Sequence, residues 1–378
     1  MKNTFGQAIA MTIVGESHGP MIGAVLDGLA PGIVVEREWI ASRLRLRSAR
    51  GEIATARHEK DAFRLESGVL EAEPGRWVTT GTPILIAIPN HDTISKDYTR
   101  TGDLLRPGHA DYTAYAKYHG YQDIRGGGHF SGRLTAAVVA AGAILQSALG
   151  EKGIRFGTHV LRLAGIDDVR LQGKTEDELS EAVDTLRDRD FPVVDPEREA
   201  PMTDAILRAK GDKDSVGGIL ETVILGLAPG LGEPFFDSVE GLLAHALFAI
   251  PAVKGVSFGD GVALADMRGS AANDAPVMDG ESLRFRSNHN GGVNGGITNG
   301  MPVVFQTVVK PTPSIAKAQD TVDYKRRENA TLALKGRHDP AIVPRAREVV
   351  NAMSALVVAD LIAQRYGTDA LGPERRTR

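Results

Sequence analysis

Apolar residues recur along this chain at two spacings, 3.6 and 2, and the alternation between them sets the expected order of elements. In EWIASRLRLRS (38–48), Trp39, Ile40, Leu44 and Leu46 fall on one face at helical spacing. Residues 7–14 and 22–27 predict strands, as do AFRLESGVL (62–70) and RWVTTGTPILIAI (76–88), where Gly81 marks a turn or bulge. DYTAYAKYHG predicts a short helix ended by Gly120, followed by a long apolar helix over roughly 131–149. KTEDELSEAVDTLRDRD predicts an exposed amphipathic helix, GGILETVILGL a buried strand and VEGLLAHALFAI another helix. GGITNGMPVVFQTVV predicts two strands around Asn299-Gly300, a strong hairpin signal. A last helix is expected over 344–366, with a frayed tail beyond it.

Helices and strands mix without a βαβα alternation, which favours an α+β fold over a doubly wound sheet. No repeat period, low-complexity tract or linker divides the chain. The expectation is one catalytic domain over 1–365 and a flexible tail over 366–378.

Composition and charge then narrow this picture. Hydrophobic residues at 42% and charged residues at 24% are ordinary for a soluble globular protein. The absence of cysteine excludes disulfides, thiolate metal sites and a cysteine nucleophile. The N-terminus carries Lys2 but no uninterrupted apolar run before Glu16, so no signal peptide is expected. LTAAVVAAGAILQSAL reads as too short and too alanine-rich to span a membrane. A cytoplasmic protein is the expectation. A net charge of −4 implies no general attraction to nucleic acid, yet Arg37, Arg43, Arg45, Arg47, Arg50 and Arg57 crowd one stretch. Arginine forks of this kind bind phosphates and carboxylates.

Candidate chemistry begins at GESHG (15–19), which fits the G-x-S-x-G turn of serine hydrolases. A nucleophile elbow follows several sheet-building strands, whereas only one strand has room to precede Gly15. A serine hydrolase using Ser17 is therefore the weaker reading. Glycine-rich loops bearing arginine, histidine and serine recur: RPGHAD (106–111), RGGGHFSGR (125–133), RSNHNGGVNGGITNG (286–300), KPTPSI (310–315) and GRHDP (336–340). Such loops at element ends are where sites are built. Ser131 is placed to cap the helix that follows it, and the free N–H groups of such a start attract anions. There is no dinucleotide-binding G-x-G-x-x-G register after a strand, no P-loop and no histidine pair with zinc spacing, so no metal is expected.

Together these segments closely resemble the chorismate synthase family, from GESHG to GRHDP and on into REVVNAM. GESHGPMIGAVLDG, RPGHADYTAYAKY and RSNHNGGVNGGITNG are the most specific matches. The resemblance implies an α+β sandwich of helices and antiparallel sheets, usually a homotetramer. It implies a lyase of aromatic amino acid biosynthesis, in the shikimate pathway, that eliminates phosphate from 5-enolpyruvylshikimate-3-phosphate to give chorismate and requires reduced FMN. It implies Arg47, Arg106, Arg133 and Arg337 as substrate-binding arginines. His109 would act at the leaving phosphate, His18 at the flavin, and Asp339 with Ser17 in proton movement. Flavin contacts would come from His129, Phe130, Ser131, Ala252, Gly295, Arg337 and the run Lys310, Pro311, Thr312, Pro313 and Ser314.

Two departures stand out. Where many members have Arg-Ser-Ser followed by Ala-Arg, this chain has HFSGR, with His129 in place of an arginine. The family's R-R-x-P-G segment reads RLRSARGE, leaving its second basic position to Arg50 or to no residue; that segment is sometimes tied to NADPH use, so flavin reductase activity is not inferred. A non-catalytic flavin- or anion-binding protein is the remaining alternative.

Overall fold

A computed structural model describes residues 2–55, 61–91, 103–334 and 339–373. Its α-helices are α1 (Arg37–Arg47), α2 (Asp111–Tyr118), α3 (Thr135–Gly150), α4 (Glu176–Leu186), α5 (Glu199–Gly211), α6 (Val239–Phe248), the single turn α7 (Gly269–Ala272) and α8 (Val343–Tyr366).

Two five-stranded antiparallel sheets enclose a helical layer. In the first the strands run Thr4–Phe5, Ala10–Gly15, Met21–Asp27, Ile84–Pro89, Arg64–Leu65. In the second they run Val253–Phe258, Val303–Val309, Gly218–Leu225, Arg155–Leu163, Ile166–Asp167. α3 lies against the first sheet, α8 against the second, and the two helices pack on each other. This is the predicted α+β sandwich.

The helical layer explains the composition of α3. It is covered on both sides, so it is apolar nearly all round. Its alanines and Gly142 let backbones approach: a β-carbon on Gly142 would fall 2.3 Å from Ala352 Cβ. With the turn before it, the stretch Gly132–Gly150 is in fact long and apolar enough to cross a membrane, against the sequence expectation, but 83% of its 18-residue window is buried inside the protein. One apolar cluster runs from Ile9 to Leu371, and each fully buried Ile or Leu in it contributes about 1.5–3 kcal/mol.

Three expectations are corrected. Asn299-Gly300 is not a hairpin turn between paired strands. Val303–Val309 instead fills the second sheet between Gly218–Leu225 and Val253–Phe258, and Ile297–Thr298 pairs back on Val293–Asn294. Two long apolar neighbours outbid a short local partner. The long helix predicted from 131 starts as a 3-10 turn, Gly132–Leu134, capped by the Ser131 hydroxyl accepting the Arg133 N–H. The stretch expected to fray is structured where it leaves α8: Thr368–Leu371 form a turn, Leu371 is buried, and Lys152 Nζ donates to the Gly372 carbonyl at 3.0 Å.

Candidate active site

The GESHG loop leaves the end of a strand that is pinned from behind. Asp360 of α8 accepts the backbone N–H groups of Gln7, Ala8 and Ile9, at 2.7–3.1 Å, and so fixes the approach of Ala10–Gly15. The Asn90 amide then holds the loop, donating to the carbonyls of Glu16 at 3.0 Å and Gly19 at 2.9 Å. Its oxygen accepts Arg133 Nε–H at 3.2 Å, tying the loop to the start of α3. Ser17 N–H donates to the Gly128 carbonyl at 3.1 Å, which fastens the glycine triplet over it.

A cavity of about 1260 Å³ opens beside this junction. Its floor is apolar, with Met11, Ile13, Leu134, Val138, Val349 and Met353. Its rim carries Arg47, Arg106, His109, Arg133, Lys310, Arg345 and Asp339.

Two carboxylates that the sequence reading did not single out organise this rim. Asp61 lies between Arg47 and Arg133. Its Oδ2 accepts from Arg47 at 3.3 Å and from the Ser48 hydroxyl at 3.2 Å, and its Oδ1 pairs with Arg133. Arg47 also donates to the Gly132 carbonyl at 2.8 Å and Thr135 Oγ1 at 3.1 Å, so α1 and the start of α3 are clamped together. Asp111 pairs with Arg106 and His109 within the RPGHAD loop. Burial alone would raise the Asp111 carboxyl; hydrogen bonds from Arg106 and His109 outweigh that and hold it far below the usual carboxylate range.

Ser17 and His18 are not part of the cavity wall; they stand one layer behind it. Ser17 is 1% exposed and His18 8%, and their side chains lie 3.2 Å apart, Oγ to Nδ1. Gly126, which does line the cavity, separates them from it. A hydroxyl this enclosed has no approach for an ester, so the serine hydrolase reading finds no support here.

On the opposite side Lys310 Nζ donates to the Gly108 carbonyl at 2.6 Å, joining the 310–314 segment to the RPGHAD loop. Thr312 lines the cavity, and its Oγ1 is buried without a hydrogen-bond partner among the described residues. Asp339 pairs with Arg345 of α8. His129 donates Nδ1–H to the Gly15 carbonyl at 2.9 Å, and Phe130, Ser131, Ala252, Pro313 and Ser314 complete the wall.

Some predicted site residues are not brought here. Gly295 sits in the turn between Val293–Asn294 and Ile297–Thr298, outside the cavity wall, and Pro311 also falls outside it. Arg50 pairs with Asp190 at 2.6 Å on the exposed surface and does not supply a second basic group to the cavity. Arg337 and Arg57 lie outside the described residues. Asp61 and Asn90 were missed because no local pattern marks them; Asp111 stood inside a quoted motif with no role given to it. Among the described residues no cluster of histidine and carboxylate side chains could hold a metal ion.

The sequence model of a family described as "Chorismate synthase" matches residues 9–363. A protein named chorismate synthase from Aeropyrum pernix is 43% identical over 373 residues, covering 99% of this chain and 95% of its own. One of the same name from Korarchaeum cryptofilum is 43% identical over 364 residues, 95% of this chain and 96% of its own. A solved structure described as "Crystal Structure of Chorismate Synthase" superposes with a TM-score of 0.75 at 28% identity, over 96% of this chain and 94% of that one.

Proposed function

The chain belongs to the chorismate synthase family, a family of lyases, and on that premise we propose that it eliminates phosphate from 5-enolpyruvylshikimate-3-phosphate with reduced FMN as cofactor, giving chorismate. The observation that carries this reading is the convergence of Arg47, Arg106, His109, Arg133, Lys310 and Asp339 on one cavity with an apolar floor. A polyanionic ring stacked on a flat heterocycle needs that combination of charge and surface.

The cavity suits such a pair. Its volume exceeds the ~300–1,000 Å³ typical of a single-ligand site. Thr312, whose Oγ1 has no hydrogen-bond partner among the described residues, brings a hydroxyl to the cavity wall that suits a phosphate oxygen. Lys310, Thr312, Ser314, His129, Phe130, Ser131 and Ala252 would hold FMN, with Arg337 as a further contact of this reading. The chemistry supplied by bound reduced flavin is an electron lent to the substrate and returned, with no net oxidation.

The chain's own residues supply position and charge. Arg47, Arg106 and Arg133, with Arg337, orient the anionic groups through charge-assisted bonds. His109 holds a proton at the leaving phosphate, as a general acid does. His18, backed by the Ser17 hydroxyl and standing behind Gly126, is the group that this reading assigns to hold a proton for the flavin. Asp339, ion-paired with Arg345, would assist, with Ser17, in proton movement at the flavin. Residues 1–365 act in this reading as one catalytic domain in a cytoplasmic homotetramer; Phe235 and Phe236, exposed at 92% and 94%, support an association surface.

The test is anaerobic phosphate release from 5-enolpyruvylshikimate-3-phosphate. Turnover is expected with reduced FMN and not with oxidised FMN. Equal turnover with both overturns the electron-lending role. Tight FMN binding with intact substrate returns the reading of a non-catalytic flavin-binding protein.

A further inference from the structure

We propose that Asp111 is a positioning residue for this site: its one carboxylate locks the ring tautomer of His109 and the aim of Arg106 together. The inference rests on the role given to His109 above.

Four donors meet on this carboxylate. Oδ2 accepts the Arg106 backbone N–H at 2.9 Å and its Nε–H at 2.8 Å; Oδ1 accepts from Arg106 Nη2 at 2.6 Å and from His109 Nδ1 at 2.8 Å. A carboxylate accepts and does not donate, so Nδ1 must carry a proton in either charge state of the ring. The position left to gain or lose a proton is Nε2. It has no hydrogen-bond partner among the described residues, and it lies on the side of Gly127, where a β-carbon would fall 3.6 Å from it. His109 lines the cavity wall, as does Gly126 beside Gly127. The arrangement leaves Nε2 available and keeps Nδ1 in permanent use on the carboxylate.

The same carboxylate takes the Arg106 fork side-on, through Nε and Nη2. The third nitrogen, Nη1, is thereby directed to the Gly126 carbonyl at 3.3 Å, the residue that covers His18. Asp111 is also the first residue of α2, where the unpaired N–H groups of the helix start favour negative charge. Arg106, His109 and Gly126 are therefore registered against one another by a single side chain held at a helix terminus. In other enzymes a carboxylate behind a histidine does the same work, and replacing it with its amide costs a large factor in kcat while the geometry survives.

A purely structural role for Asp111 would leave the ring tautomer of His109 untouched, and that distinction is measurable without substrate or flavin. The experiment labels the full chain with 15N-histidine and records long-range 1H–15N correlations of the imidazoles. The His109 signals are assigned by their loss in His109→Gln. The same spectra are taken for Asp111→Asn and Asp111→Ala, alongside kcat and KM with reduced FMN. The expected result is a protonated Nδ1 in the natural protein and a mixture of tautomers in Asp111→Ala. In Asp111→Asn, kcat is expected to fall about 10²-fold or more, with a smaller change in KM. An unprotonated Nδ1 in the natural protein, or His109 spectra unchanged in both variants, overturns the proposal whatever the activities. Altered tautomers with kcat within about threefold of normal overturn it as well. If the natural protein releases no phosphate, the reaction reading above has failed, while the spectra still decide whether Asp111 sets the tautomer. Asp111→Asn keeps the size of the side chain and serves if Asp111→Ala does not fold.

Discussion

Gly126 lies against the imidazole of His18: a β-carbon built on Gly126 would fall 2.1 Å from His18 Cε1 and 2.2 Å from Nδ1. The backbone there also has φ +66, a conformation that side chains resist. Gly126 thus stands between a buried Ser17–His18 pair and the cavity that it lines.

Gly126→Ala is expected to push His18 aside or lift the loop, with kcat lower by about 10²-fold, since displacements near 1 Å at a reacting site cost that much. The check is phosphate release with reduced FMN, alongside thermal denaturation to show that the variant remains folded. Near-normal turnover would mean that His18 need not stay where it is.

His109→Ala and His18→Ala are each expected to lose about 10²–10⁴-fold in kcat, the range of a proton-transferring group, while still binding FMN. Flavin titration and steady-state kinetics on the same preparations separate the two effects. If both variants turn over normally, neither histidine belongs in the mechanism.

Asp61→Asn removes a carboxylate shared by two arginines, with its side chain only 3% exposed. Breaking a buried ion pair on one side costs about 3–5 kcal/mol. The ligand-free variant should melt earlier, and inorganic phosphate should restore part of the loss by bringing negative charge back to Arg47 and Arg133. A melting temperature equal to that of the natural protein, with no response to phosphate, would contradict the clamp.

A pH dependence of stability follows from a triad far from the cavity. His159, fully buried, donates Nδ1–H to Asp168 at 2.9 Å and Nε2–H to Glu221 at 3.0 Å. Burial alone would lower the His159 pKa, but the two hydrogen bonds and charges hold it above its ordinary 6.5. Burial likewise opposes ionisation of Asp168 and Glu221, and their contacts hold both below their ordinary values of 3.8 and 4.5. The histidine's contribution is complete below about 6.5 and is lost as pH rises through its higher folded value; the carboxylates' contribution is complete above about 4.5 and is lost as pH falls. Stability from this triad is therefore greatest between about 4.5 and 6.5. His159→Gln should cost about 3–5 kcal/mol at pH 6 and flatten the alkaline limb. Denaturant midpoints measured across pH 4–9 in both proteins check this; parallel curves would show that the triad is not charged.

The neighbourhoods that the chain sets within a few residues were legible beforehand. α1, α4, α6 and α8 carry their own periodicity and punctuation, with Pro344 at the start of α8 and the Thr175–Glu178 capping box opening α4. Arg106, His109 and Asp111 are near neighbours along the chain, so their pairing was already implicit in RPGHAD, even though only two of the three were singled out. What the tertiary structure decided depends on contacts across long separations. Arg133 reaches Asp61 across 72 positions, Lys310 reaches the Gly108 carbonyl across 202, and Gln7 meets Asp360 across 353. A local pattern reports that a residue is charged, apolar or conformationally free, but its partner is chosen by which elements share a layer and how closely their backbones approach. Asp61 and Asn90 therefore gained their places from the packing of the helical layer against the first sheet. Val303–Val309 left the Asn-Gly turn for the same cause, because burying an apolar strand between two long neighbours outweighs any pairing available within its own segment.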